Sequence, residues 1–186
     1  MAKALIASKA NVPVARNVEI KARIHSVQSV LPRAQVLADG PAQLIEQDDT
    51  FFVVPDGRGR LKLREFADGS AELIHYQRAD RGDAKASDYV RVPVTEPLAL
   101  RLALIRAYGQ LGRMRKRRTL LLVGATRIHL DQVEGLADHI ELEVVLRDGQ
   151  SDADGAAVAE TLMHELGLAD APRVAGAYLD LLRALT

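Results

Sequence analysis

Charged residues at alternating positions are the part of this sequence that could do chemistry. In an extended strand, residues i and i+2 face the same way. Lys62 and Arg64 therefore share one face of GRLKLREF, and Leu61 and Leu63 take the other. The sorting recurs. Lys116 and Arg118 lie opposite Arg115, Arg117 and Thr119; Arg127, His129 and Asp131 lie opposite Ile128 and Leu130; Glu141 and Glu143 lie opposite Ile140, Leu142 and Val144. In VEIKARI, Glu19, Lys21 and Arg23 oppose Val18, Ile20, Ala22 and Ile24. Any one such strand is what an ordinary antiparallel sheet with a solvated face contains. Lys and Glu are depleted in strands, however, and here acidic residues mark the first and last of these strands while basic pairs occupy those between. That ordering predicts a lined cavity, formed if the sheet curls into a barrel with its ionic face inward and helices cover the apolar face outside.

The chemistry that needs both signs in one cavity is a polyphosphate with a divalent ion. Arg and Lys clamp phosphate oxygens, and carboxylates hold Mg²⁺ or Mn²⁺ through hard oxygen ligands. Phosphoryl transfer asks mainly for positioning and charge neutralisation. The absence of cysteine, of a GxSxG elbow and of HExxH does not count against it. His129, on the ionic face, could donate to phosphate, act as acid or base, or be a hydrogen-bonded lumen histidine. His75 and His164 read as structural or exposed, Tyr178 as a helix-packing residue, and Gly57 and Gly59 of DGRGR as a hairpin turn rather than a phosphate loop.

The elements that must position these residues follow from periodicity and turn signals. A strand over 18–24 leads into a helix over 26–38 that carries Pro32. Strands TFFVV, GRLKLREF and AELIHYQR form consecutive hairpins, DRGDAKA is a polar turn, and YVRVPV is an edge strand because Pro93 lacks a ladder donor. LALRLALIRAYGQL, stopped by Gly112, is expected to be the principal packing helix. Strands MRKRRTLLL, ATRIHLDQV and HIELEVVL follow, then a helix capped by Ser151 and closed by Gly167, and a short helix over 174–185.

Composition bounds the reading. The 186 residues carry 25 Lys+Arg against 25 Asp+Glu, so no net charge draws the chain to nucleic acid or an anionic membrane. Neither is expected as a partner. No apolar run approaches the roughly 18 residues of a membrane span. With no cysteine, there is no disulfide framework or thiolate zinc site, which fits a cytoplasmic location. Residues 1–16 read as a flexible leader and 17–186 as one domain.

The chain resembles the CYTH superfamily, the triphosphate tunnel metalloenzymes that include class IV adenylyl cyclases and thiamine triphosphatases. The matching stretches are NVEIKARI, DTFF, GRLKLRE, ELIHYQR, MRKRR, IHLDQVEGL, IELEVV and AYLDLL, in the family's order over nearly the whole chain. The resemblance implies an α+β fold with a closed or nearly closed antiparallel barrel, a charged lumen and helices outside. It implies Mg²⁺ or Mn²⁺ held by Glu19, Glu141, Glu143 and Asp131, with Lys21, Glu19 and Asp131 at the catalytic centre. Triphosphate binding falls to Lys21, Lys62, Arg64, Arg78, Lys116 and Arg118, and Arg23 and Arg127 join them by parity. The family's ExExK signature is matched by Asn17-Val18-Glu19-Ile20-Lys21, with Asn17 in place of the first glutamate. The expected activity is hydrolysis of inorganic triphosphate or an organic or nucleoside triphosphate. A class IV adenylyl cyclase making cyclic AMP and pyrophosphate, and a non-catalytic polyphosphate-binding module, stand as alternatives. The expected partner is a small-molecule triphosphate, and a homodimer is left open.

Overall fold

The structure, a computed structural model, describes residues 15–55, 58–78 and 85–185. Its element order is β1 (Ala15–Arg23), α1 (Val27–Leu37), β2 (Gln43–Phe52), β3 (Arg60–Phe66), β4 (Ala71–Arg78), β5 (Lys85–Val94), α2 (Pro97–Tyr108), β6 (Gln110–Val123), β7 (Thr126–Val133), β8 (His139–Val145), α3 (Asp152–Glu165) and α4 (Tyr178–Arg183). The strands form a closed antiparallel barrel in the order β1-β5-β4-β3-β2-β6-β7-β8. The expected leader falls outside the described residues up to position 14, as do Asp56 and Gly57 of the PDGRG turn and residues 79–84 of the polar turn.

Closure sets which residues face each other. Glu19 lies opposite Glu143 and Lys21 opposite Glu141 where β1 meets β8. Arg64 lies opposite Asp49 between β3 and β2, and Arg118 opposite Asp131 between β6 and β7. The alternation seen in the sequence therefore sends the ionic residues inward and the aliphatic ones outward.

The main hydrophobic core consequently lies outside the barrel. Ile20, Ala22, Ile128, Leu130, Ile140 and Leu142, from the outer faces of β1, β7 and β8, pack against Val27, Val30 and Ala34 of α1 and Ala159, Leu162 and Met163 of α3. Each such fully buried aliphatic side chain contributes about 1.5–3 kcal/mol relative to exposure, so these two helices supply the burial that the ionic lumen cannot. Both start at serine caps: Ser26 accepts from the Ser29 amide, and Ser151 forms a reciprocal capping box with Asp154. α3 ends as expected, with Gly167 at φ 73°.

Three expectations need correction. The helix over 97–108 is not the principal packing helix, since none of its residues is buried. Its apolar residues point all round, so only Leu100, Leu104 and Ile105 meet a small cluster of Phe52, Leu63 and Ala71, while Leu98 and Leu102 stay exposed. The helix also stops earlier, at Gly109 (φ 83°), and Gly112 lies within β6. β5 is no edge strand: it pairs with both β4 and β1, and Pro93 sits opposite Glu72, beyond the last described pair with β1, Ala15 with Tyr89. β2 begins seven residues before TFFVV would place it, at Gln43, which brings Gln47 and Asp49 into the wall. Among the described residues, no helix is long and apolar enough to cross a membrane.

Helix α3 approaches β1 through Gly155. A Cβ there would stand 2.7 Å from Leu146 Cδ2 and 2.8 Å from Val18 Cγ2. Gly155→Ala would gain up to ~1 kcal/mol of helix propensity but overpack a site where Val18 is stiff and 1 % exposed, at a cost of about 1–3 kcal/mol. We expect a net loss of stability, read as a lower urea midpoint. A raised midpoint would show that α3 is free to shift away from β1.

Candidate active site

The barrel encloses a cavity of about 280 Å³ lined by Glu19, Lys21, Lys62, Arg64, Lys116, Arg118, Arg127, His129, Glu141 and Glu143, among others. All eight strands contribute to its wall, and each charged side chain arrives there by strand parity and register.

Two aspartates that no solvent reaches organise the basic side. Asp49, 0 % exposed, accepts from Lys62 Nζ at 2.8 Å and from Arg64 Nε and Nη2 at 2.7 and 2.8 Å. Burial would raise its pKa, but Arg64 and Lys62 more than offset this and hold its carboxyl far below the usual range. Asp131, also 0 % exposed, takes a bidentate pair from Arg118 at 2.7 and 2.6 Å, Lys116 Nζ at 3.4 Å and the Tyr178 hydroxyl at 3.0 Å. The structure thus gives Asp131 a place beside Arg118 and Lys116, with its oxygens already engaged. Each aspartate carries two cations, so the basic wall keeps positive charge to spare. Lys116 shows the cost: burial, then repulsion from Arg118, pulls its pKa down to about 7, and burial and Arg64 pull Lys62 down to about 8.

The acidic side is built from β1 and β8. Glu141 stands 3.3 Å from Lys21 and 3.6 Å from Arg118, and Glu143 stands 2.9 Å from Arg127 and is hydrogen-bonded by the Asn17 amide. His129 lies between the two glutamates, 3.6 Å from Glu141 and 3.8 Å from Glu143. Its Nδ1 is buried without a hydrogen-bond partner, and burial lowers its pKa. The donor types fit a hard divalent ion: Glu19, Glu141 and Glu143 line the cavity from β1 and β8, and the buried Asn17 Oδ1 has no partner. Among the described residues, no three His, Asp or Glu side chains form a ready-made metal cluster. Glu141 and Glu143 are drawn instead to Lys21 and Arg127, the contacts an incoming ion would replace.

One end of the cavity is closed by α4. Tyr178 packs with Phe51, Met114, Val133 and Leu179, and its ring lies 4.3 Å from Lys21 Nζ and 5.3 Å from Lys116 Nζ. Lys21 also donates to the Gly176 carbonyl at 3.2 Å. Asp180 fixes the segment, accepting from the Ala177 amide and forming a bidentate pair with Arg60 at 2.9 and 2.7 Å.

Not every expected residue joins this cavity. Arg23 is exposed, at the end of β1 where the strand leaves the barrel, and does not line the lumen. Arg78 pairs with Ser87 in the register of β4 and β5, but its side chain lies outside the described residues. Asp49 and Gln47 were missed in the sequence. Their signal was the phase of Ile45, Gln47, Asp49 and Phe51, obscured by the consecutive acids Asp48 and Asp49.

The CYTH domain family model matches residues 15–178. A search of curated proteins gave no match. Among solved structures, the PH1012 protein of Pyrococcus horikoshii superposes with a TM-score of 0.78 at 20% identity, covering 89% of this chain and 99% of that one. A Vibrio parahaemolyticus protein proposed as an adenylate cyclase gives 0.73 at 19% identity, covering 92% and 99%. HpAC1 from Hippeastrum, reported to have a dominant triphosphatase activity, gives 0.65 at 15% identity, covering 91% and 96%. At these identities the likeness is one of fold.

The depressed lysines set a pH dependence with two opposite signs. An anion in the cavity favours the charged forms of Lys116 and Lys62, so binding takes up protons and weakens as pH rises through about 7 to 8. The ligand-free protein follows the other sign: between pH 7 and 9 the unfolded chain, with lysines at ~10.4, binds more protons than the folded one, so stability rises. Calorimetry of triphosphate binding in buffers of different ionisation enthalpy, beside thermal melts, reads both. Triphosphate affinity that stays flat from pH 6 to 9 would place both lysines outside the binding site.

Proposed function

The chain belongs to the CYTH domain family, and from that premise we propose that it is a divalent-metal-dependent enzyme that hydrolyses a triphosphate bound in the barrel lumen. The observation that carries this reading is one cavity with Lys62, Arg64, Lys116 and Arg118 on one wall and Glu19, Glu141 and Glu143 on the other. A triphosphate chain presents many acceptor oxygens and no carbon skeleton to grip, and a wall of Arg forks and Lys points is the complement of that surface.

In this reading Lys21, Lys62, Arg64, Lys116, Arg118 and Arg127 bind and orient the triphosphate, and Asp49 and Asp131 hold four of these cations in place. Glu19, Glu141, Glu143 and the Asn17 carbonyl oxygen hold Mg²⁺ or Mn²⁺. The bound ion would polarise a phosphoryl oxygen and neutralise charge that develops there. Glu141 is held well below the usual carboxylate range, with Lys21 and the His129 contact offsetting its burial, so it is ionised and ready as a ligand at neutral pH. The buried basic wall offers donors whose positions are set before substrate arrives, which is where electrostatic stabilisation of phosphoryl transfer comes from. Tyr178 excludes water from the closed end, so an attacking water reaches the triphosphate from the other side. The relative with reported triphosphatase activity supports hydrolysis as the reaction.

The test is turnover of inorganic triphosphate, ATP, other nucleoside triphosphates and thiamine triphosphate with Mg²⁺ and Mn²⁺, with products identified. Orthophosphate is expected. Cyclic AMP with pyrophosphate would instead establish a cyclase, and binding without turnover a polyphosphate-binding module. Glu141→Gln and Glu143→Gln should each lower turnover by about a hundredfold or more and raise the metal concentration needed for half-activity, because a neutral amide replaces an anionic ligand of similar shape. Wild-type turnover in both variants at limiting metal would move the ion elsewhere.

A further inference from the structure

Helices α1 and α3 each turn a polar side to solvent. The exposed residues of α3 include Asp152, Asp154, Glu160, Thr161, His164 and Glu165, and those of α1 include Gln28, Ser29, Arg33 and Gln35. α2 does not follow them. At 3.6 residues per turn, Leu98, Ala99, Leu102, Ala103 and Arg106 share the side turned away from Leu100 and Leu104, the leucines that meet the small cluster around Phe52 and Leu63. All of them are exposed, Leu98 by 67 % and Leu102 by 51 %, and Arg106 is the only charge among them. A helix apolar on every side is ordinarily covered on every side. This chain covers one.

The apolar surface continues beyond the helix. Leu63, which packs with α2, lies opposite Leu73 of β4, and Leu73 lies opposite Val92 of β5. The row emerges from cover as it crosses the sheet: Leu63 is 0 % exposed, Leu73 is half-buried and Val92 is 49 % exposed. Val90 and Val94 stand on either side of Val92 on the same outer face. A contiguous apolar surface of this kind marks an interaction site.

The charges at the two ends of α2 point to what covers it. Glu96 at its start and Arg106 in its last turn are exposed, and among the described residues neither forms an ion pair or a side-chain hydrogen bond. They stand about 15 Å apart along the helix axis and cannot reach each other. Against a second α2 running antiparallel, each meets its opposite: Glu96 of one copy faces Arg106 of the other, and the two-fold axis makes the pair twice. Ala99 and Ala103 keep the helix side low between them, so that two such helices can approach closely.

We propose that this chain forms a two-fold homodimer through α2 and the adjoining outer face of β4 and β5, with the two α2 helices antiparallel. An interface of standard size buries about 800 Å² on each partner, more than one helix side provides, and the row of Leu73 and Val92 extends it. This surface lies outside the barrel, so the proposal stands or falls independently of what the lumen binds.

Sedimentation velocity of the full chain across the micromolar range tests it. Wild type should sediment as a dimer. Leu98→Lys and Leu102→Lys should each raise the dimer dissociation constant about a hundredfold or more, with an unchanged far-ultraviolet circular dichroism spectrum, since both side chains are exposed in the single chain. Charge reversal is the sharper arm. Glu96→Arg and Arg106→Glu should each weaken the dimer about tenfold, because two exposed pairs turn from attraction to repulsion at once, and the double variant should return to within a few-fold of wild type. A role confined to one helix predicts the reverse: each single reversal opposes the helix dipole, so the double variant would be the worst of the three. A monomer at every concentration, a dimer indifferent to Leu98→Lys and Leu102→Lys, or a double variant no tighter than the single ones would each overturn the proposal.

Discussion

Two carboxylates sealed from water hold this molecule's interior together. Asp49 and Asp131 sit at the backs of the β2–β3 and β6–β7 ladders, and each binds an arginine in bidentate fashion and a lysine beside it. Without them, Lys62, Arg64, Lys116 and Arg118 would be four buried cations repelling one another, an arrangement whose desolvation cost no nearby contact repays. With them, the cations are fixed in position and still outnumber their counterions. A site for an anion is what such a deficit amounts to.

The inside-out distribution of polarity follows. Because the lumen is ionic, burial must come from the outer faces of β1, β7 and β8, and α1 and α3 are placed where those aliphatic rows are longest. The same trade explains why α2 packs so lightly. It crosses β2 and β3, whose outer faces carry Asp48 and Glu65 beside Leu63; Asp48 is committed to Arg113 and Arg115, and Glu65 meets α2 through an ion pair with its Arg101 rather than through apolar contact.

Much of this could be read in the residues, and the limits have physical causes. Strand parity is local, so the inward sets on β1, β3, β6, β7 and β8 could be assigned from spacing alone. Asp49 could not be found that way, because the acids at 46, 48 and 49 interrupt the alternation of β2, and only pairing with Arg64 across the hairpin settles which one turns inward. The burial of α2 was overestimated because composition reports how much apolar surface a helix has and not whether anything lies against it. Tyr178 was legible as a packing residue. Its place at the end of the lumen depends on α4 crossing the barrel mouth, a contact between the two ends of the chain that no local pattern encodes. Arg23 had the right parity, but it is the last residue of β1, at the barrel rim, and its side chain is exposed.

The clasp between Arg60 and Asp180, with Tyr178 beside it in the lining, holds α4 against one end of the lumen. An anion that leaves must pass the same basic residues that drew it in. Under the proposed hydrolysis, a product retaining two or more phosphates would leave against the full attraction of the wall and block the next arrival until it did. On that proposal the escape of the more highly charged product, rather than bond cleavage, would be the natural slow step, and ionic strength would throttle turnover as well as binding.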